Sequence, residues 1–313
     1  MFLGQRGFRV LGRLAVLLGA LAAALPAQPA PASSVKDPGP ATPHLRILSY
    51  NIHHAAGNET CTEPPDNGDC GLNLRRIASI LRDSGADIIG LQEVDRFWKR
   101  SGLTDQPREL GDMLGMFICF GANLRLSPEA GSGKPREYGT LLLSRYPLHG
   151  CRNDALPKAE EKSEQRGLLR ADVQTPGGRM RVMVTHLSTA EADRTLQAQA
   201  MLRALKEATT PTVLLGDMNA QPGEAGFQPV LRQMSDVWSL PGVERTSAPD
   251  GATFPCHPAQ NPTTRIDYIL LSAGLSAASA EVLTDANARM ASDHCPLLVR
   301  VATPISPGST RRR

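Results

Sequence analysis

Along the middle of this chain, short apolar runs of strand length alternate with stretches whose apolar residues recur at helical spacing. Leu45–Tyr50 reads as a strand, Leu72–Ser84 as an amphipathic helix and Asp87–Gln92 as a buried strand. Pro107–Gly115 reads as a helix, followed by strand-like Met116–Phe120, Gly139–Ser144, Leu168–Val173 and Arg179–Thr185. Ala190–Thr209 is the longest helix, polar along one side, and Thr212–Leu215, Arg265–Leu271, Ala280–Leu283 and Pro296–Val301 complete the strands. So many strands, with helices inserted irregularly, predict an α/β chain of two packed sheets flanked by helices and not one doubly wound sheet. No internal repeat or second linker interrupts the pattern, which predicts one domain over residues 44–302.

The ends differ from that pattern. Arg6, Arg9 and Arg13 precede the apolar run Leu14–Leu25, which is too short to span a bilayer and is followed by small residues and prolines. This is the build of a secretory signal peptide, assigned to residues 1–27, with cleavage after Ala24, Ala27 or Ala32 left open. An uncleaved anchor is the alternative. Residues 28–43 read as a disordered Pro/Ala linker and 303–313 as a disordered tail. The expectation is a secreted or periplasmic protein, monomeric. Six cysteines suit that setting, with Cys61–Cys70, Cys119–Cys151 and Cys256–Cys295 as the expected disulfides. The formal net charge of +3 is cancelled by loss of the three leader arginines, and the body has no Lys/Arg cluster. A stable nucleic-acid complex is therefore not expected.

The candidate chemistry lies at strand ends. Gly216-Asp217-Met218-Asn219, Arg265-Ile266-Asp267-Tyr268 and Ser292-Asp293-His294 each follow or open an apolar run, where a rigid scaffold can hold reactive groups. Asn51 closes the first strand and Glu93 the next buried one. With Asp217, Asn219 and Asp293 they form an oxygen-rich set that suits a hard cation, Mg²⁺ or in its place Mn²⁺. The plain alternatives are a cap or surface ion pair for Glu93 and a turn for Asn51. Asp267 is the natural partner for His294, giving a carboxylate-oriented general base, and a buried histidine satisfied by backbone is the rival reading. His186 either donates to a phosphate oxygen or caps the following helix. Of His53 and His54, strand alternation lets at most one face the site. No H-x-x-x-H, H-E-x-x-H or C-x-x-C pattern supports a zinc hydrolase.

Tyr50-Asn51-Ile52, Leu91-Gln92-Glu93-Val94, Tyr138-Gly139 with Leu141–Pro147, Thr185-His186-Leu187, Gly216–Asn219, Arg265–Ile269 and Ser292–His294 form an ordered set. That set resembles the endonuclease/exonuclease/phosphatase superfamily over nearly the whole domain. The resemblance implies a four-layered α/β/β/α sandwich of the deoxyribonuclease I type. It also implies that Glu93, Asn51 and Asp293 serve the metal, that Asp217 and Asn219 orient nucleophile and phosphate, and that Asp267–His294 activates water. His186 would stabilise the pentacovalent phosphate, Arg166 would contact phosphate and Tyr138 substrate. Where relatives that cut at apurinic sites carry an acidic residue, this chain has His53, and the loops Ala55–Gly71 and Gly131–Arg136 flank the cleft. The expected function is hydrolysis of a phosphate ester, lipid-linked, small-molecule or nucleic-acid. A secreted nuclease acting on DNA or RNA is one rival and a catalytically silent binding module of the same fold is another.

Overall fold

The near-continuous buried run of the first strand requires two packed faces, because both sides of it are covered. The computed structural model describes residues 44–58, 69–129, 133–248 and 250–302. Its elements in chain order begin with β1 (His44–Asn51), α1 (Asp69–Asp83), β2 (Ile88–Arg96), α2 (Gln106–Leu114), β3 (Phe117–Leu126), β4 (Arg136–Ser144), β5 (Leu148–Ala155) and β6 (Gly167–Thr175). They continue with β7 (Gly178–His186), α3 (Glu191–Lys206), β8 (Thr212–Asp217), α4 (Gln228–Gln233), β9 (Ser235–Asp236), β10 (Glu244–Thr246), β11 (Asp267–Leu271), β12 (Ser276–Val282), α5 (Ala286–Ala291) and β13 (Leu297–Ala302).

Two mixed sheets result. The larger runs β10, β12, β13, β1, β2, β4, β3 and the smaller β5, β6, β7, β8, β11, β9. Leu45, Ile47 and Ile88 of the larger sheet meet Leu169, Val182, Val184 and Leu215 of the smaller in a central core. The other face of β1 and β2, with Leu48, Tyr50, Ile89 and Leu91, packs on Leu74, Ile77 and Leu81 of α1. The outer face of the smaller sheet, through Met183, Leu214 and Leu270, covers Ala198 and Met201 of α3 and Val230 of α4. Helix, sheet, sheet and helix therefore stack in four layers, as expected. Behind the site the sheets approach closely at Gly90, where a Cβ would lie 2.3 Å from Leu215 Cδ1.

Every strand and helix read from the apolar pattern is present, with ends shifted by a few residues. The elements not foreseen are β5, β9, β10, α4 and α5. β5 is an edge strand whose residues are mostly exposed, so it carries no apolar alternation. Its Cys151 bonds Cys119 of β3, the edge strand of the other sheet, and Cys256 bonds Cys295. Both are expected pairings, whereas Cys61 lies outside the described residues. So do the leader, the linker, the tail and most of the loop before α1. Among the described residues no helix is long and apolar enough to cross a membrane.

Candidate active site

Strand register assembles one half of the site. β7 and β8 run parallel with His186 beside Asp217, and β8 and β11 run antiparallel with Asp267 beside Asp217. Three neighbouring strands thus bring an imidazole and two carboxylates to one rim. His294, between α5 and β13, places Nδ1 2.8 Å from Asp267 Oδ2 and Nε2 3.7 Å from Asp217 Oδ2. His186 places Nε2 3.3 Å from the same Asp217 oxygen, while its Nδ1 lies 2.8 Å from Arg166 Nη1. A guanidinium only donates, so Nδ1 accepts, while Nε2 lies between the Asp217 carboxylate and the Asn219 amide nitrogen, the latter at 3.0 Å. The helix-capping role for His186 is absent, because Ser188 and Asp193 hold the start of α3 instead.

The charges in this half are tightly linked. Burial works against charge on His294, yet Asp267 and Asp217 outweigh it and hold the imidazole above its ordinary range. Burial pushes Asp217 up, the Asp267 charge adds to this, and His294 only partly offsets it. Burial, with Arg166 beside it, drives His186 well below the usual imidazole value and keeps the ring neutral. Asn219, in the left-handed region at φ 47°, donates its backbone N–H to Asp217 Oδ1 at 2.9 Å and its side-chain amide to Leu187 O at 3.0 Å.

Sequence reasoning missed the segment that braces this half. Thr253 Oγ1 donates to Asp267 Oδ2 at 2.6 Å, and the Phe254 ring lies 5.0 Å from that of His294. Backbone bonds from Cys256 N to Asp293 O (2.6 Å) and from Cys295 N to Thr253 O (2.8 Å), together with the Cys256–Cys295 bond, fix it there. The one available signal was that cysteine pairing, which brings Thr253 within reach of His294. Beside Phe254, Ile266 and Asn219 a cavity of about 670 Å³ opens, bordered also by Thr189 and Gln221. It is large enough for a small-molecule group.

The larger sheet builds the other half by irregularity. Parallel pairing of β1 and β2 puts Asn51 beside Gln92, and a bulge between Leu91 and Val94 turns Glu93 out of the ladder at φ 57°. Asn51 Nδ2 donates to Glu93 Oε1 at 3.0 Å and to Asp217 Oδ2 at 3.1 Å, joining the halves across the two sheets. Its Oδ1 accepts the His53 N–H at 3.0 Å. Burial would raise the Glu93 carboxyl, but the His54 and His186 imidazoles and the Asn51 amide prevail and hold it well below the carboxylate range. Asp293 is half-exposed, and the neighbouring Ser292 Oγ donates to Asn51 O at 2.7 Å.

His53 and His54 depart from expectation. They lie in a 3-10 turn, His53–Ala55, with φ of 45° and 42°, and not in a strand, so alternation does not separate them. Their ring centroids are 4.6 Å apart and both rings sit near the carboxylates. Arg166 is buried and also pairs with Glu164 at 3.1 Å. Tyr138 is buried next to Glu93, and burial together with that charge pushes its phenol far up, so it stays a neutral donor. The residues read from sequence therefore fall in one cluster, connected by hydrogen bonds and close charges. Glu93 and Asp293 fit a divalent cation by donor chemistry, whereas the Asn51 oxygen is already engaged by the His53 N–H.

The profile of the Endonuclease/Exonuclease/phosphatase family matches residues 48–294. Protein cwh43 of Schizosaccharomyces pombe is 28% identical over 151 residues, which is 48% of this chain and 14% of that protein. The chain thus spans a small part of that relative's length. Among solved structures, an endonuclease/exonuclease/phosphatase from Beutenbergia cavernae superposes with a TM-score of 0.63 at 25% identity, over 83% of this chain and 72% of that one. The mannosyl-6-phosphatase Bt3783 of Bacteroides thetaiotaomicron gives 0.62 at 19% identity, over 82% and 99%, and so shares the fold.

Proposed function

The chain belongs to the endonuclease/exonuclease/phosphatase family, whose members hydrolyse phosphoric esters, and on that premise we propose an exported, divalent-cation-dependent hydrolase of a phosphate ester. The observation that carries the reading is the Asn51 amide bridge, which sets Glu93 and the Asp217–His294–Asp267 group into a single cleft. The apolar run Leu14–Leu25 behind Arg6, Arg9 and Arg13, and the two disulfides among the described residues, support export into an oxidising compartment.

A cation such as Mg²⁺ or Mn²⁺, held by Glu93 and Asp293 with Asn51 beside them, would shield the phosphoryl charge. The proton traffic belongs to the chain itself. The base role expected for His294 moves to Asp217, because a ring held between two carboxylates keeps its proton near neutrality. Asp217 takes a proton from the attacking water as its oxygen bonds phosphorus, and His294 protonates the leaving oxygen as the ester bond breaks. The proton on Asp217 then returns to His294 across 3.7 Å. Arg166 and neutral His186 bind phosphoryl oxygens, Asn219 and Tyr138 position the ester, and the cavity beside Phe254 receives the leaving group.

The test is hydrolysis by the purified protein, with Mg²⁺ or Mn²⁺, of DNA, RNA, sphingomyelin, phosphoinositides and p-nitrophenyl phosphate esters. Turnover of a lipid-linked or small ester, lost in His294→Ala and Glu93→Ala, is the expected result. Preferential cutting of DNA or RNA would establish the nuclease, and no turnover of any ester would overturn the enzyme.

A further inference from the structure

We propose that His53 and His54 supply imidazole nitrogens to the cation at the Glu93 end of the cleft, which therefore takes a borderline transition metal such as Zn²⁺ or Co²⁺ in preference to Mg²⁺. One nitrogen from each ring and one Glu93 oxygen lie within 4.8 Å of one another. Donors bound at about 2.1 Å to one tetrahedral ion stand about 3.4 Å apart, so binding draws the side chains together by about 1 Å. His54 Nδ1 is 3.7 Å from Glu93 Oε2, and His53 Nδ1 is 3.8 Å from Asp293 Oδ1, which stands beside the three-donor group and outside it.

Both Nδ1 atoms are shielded from solvent and have no hydrogen-bond partner. Buried polar atoms are nearly always satisfied, and an ion between the rings and Glu93 would satisfy both. Asn51 Nδ2 already donates to Glu93 Oε1 at 3.0 Å, which leaves Oε2 to face His54. The backbone points the same way. His53, His54 and Glu93 all occupy the left-handed region, and that is what gathers two adjacent histidines beside a bulged glutamate. Two imidazoles with the Glu93 carboxylate form a nitrogen–oxygen set, which favours Zn²⁺ or Co²⁺, whereas Mg²⁺ prefers oxygen and water. Sequence spacing hides the set because its members come from a turn after β1 and a bulge in β2.

The inference deepens the hydrolase reading and rests on it for the ion's use, while binding is measured apart from turnover. Full-length protein stripped with a chelator is titrated with Co²⁺ and followed by its visible absorption bands, with Mg²⁺ as competitor. Wild type should bind one Co²⁺ with a nitrogen-ligand spectrum that excess Mg²⁺ does not erase. His53→Asn and His54→Asn should each weaken Co²⁺ on the order of 10- to 100-fold, and His149→Asn, on the exposed edge of β5, should not. Asparagine tolerates the left-handed backbone, and unchanged thermal unfolding of the metal-free variants confirms that they fold.

Unaltered Co²⁺ affinity in both histidine variants, or ready displacement by Mg²⁺, overturns the inference. A loss of turnover in those variants with Co²⁺ binding intact also overturns it, since the rings would then serve the substrate. Histidine-dependent Co²⁺ binding without turnover of any ester sinks the hydrolase reading alone. Mg²⁺-driven turnover with histidine-independent Co²⁺ binding sinks this inference alone.

Discussion

The two halves of the cleft are built on opposite plans. His186, Asp217 and Asp267 stand in strict register on β7, β8 and β11, and His294 is buried against them. Glu93, His53 and His54 leave regular structure, one at a bulge and two in a left-handed turn, and the histidines remain partly exposed. The difference suits the division of labour proposed above. Proton transfer needs carboxylates and imidazole held at fixed short distances in a low dielectric, which adjacent strands provide. An ion needs donors that converge from several directions and stay open to water and substrate, and a regular strand cannot turn its side chains that way.

The largest effects test whether the halves act as one centre. His294→Ala and Glu93→Ala should each lower turnover on the order of 10²- to 10⁴-fold, and the double variant should lose little more than either alone. Additive losses in that cycle, read from kcat/KM, would break the single-centre comparison. Asp267→Asn should destabilise the fold by about 3–5 kcal/mol in urea titration, because it breaks the 2.8 Å buried pair with His294. Removal of one carboxylate partner should also lower the alkaline limb of the pH–rate profile toward the ordinary imidazole range. An unmoved limb would take His294 out of the acid role.

Thr253→Val removes a donor to Asp267 and should cost about 1.5–3 kcal/mol by the same titration, with turnover reduced less than in Asp267→Asn. In wild type the pH profile should be a bell. Turnover falls as pH drops through the raised Asp217 value and falls again as pH rises through the raised His294 value. An acid limb in the ordinary aspartate range would return the base role to another group.

The same contrast explains what could be read from sequence. The β7, β8 and β11 strands carry unbroken apolar runs into Thr185-His186, Gly216-Asp217 and Asp267-Tyr268, so their ends and reactive residues were legible together. Glu93 was legible as a residue but not as a left-handed bulge, because period-two alternation has no symbol for an extra residue. The His53–His54 pair was misplaced for the same reason. β5 escaped because an edge strand can be polar on both faces, and Thr253 because its bond to Asp267 depends on a long-range pairing with no local pattern.

The Cys256–Cys295 bond has a consequence for how the molecule responds to reductants. It closes a loop spanning 39 positions that contains Asp267, and its second sulfur belongs to the residue next to His294. Opening that loop frees the strip carrying Thr253 and Phe254, while the Cys119–Cys151 link joins strand edges on β3 and β5. Under the proposed mechanism thiol reagents should act first on proton transfer, and turnover should fade in dithiothreitol before the far-ultraviolet circular dichroism changes. A chain not yet oxidised would be folded in outline and idle, and it would become active only where its surroundings can make that bond.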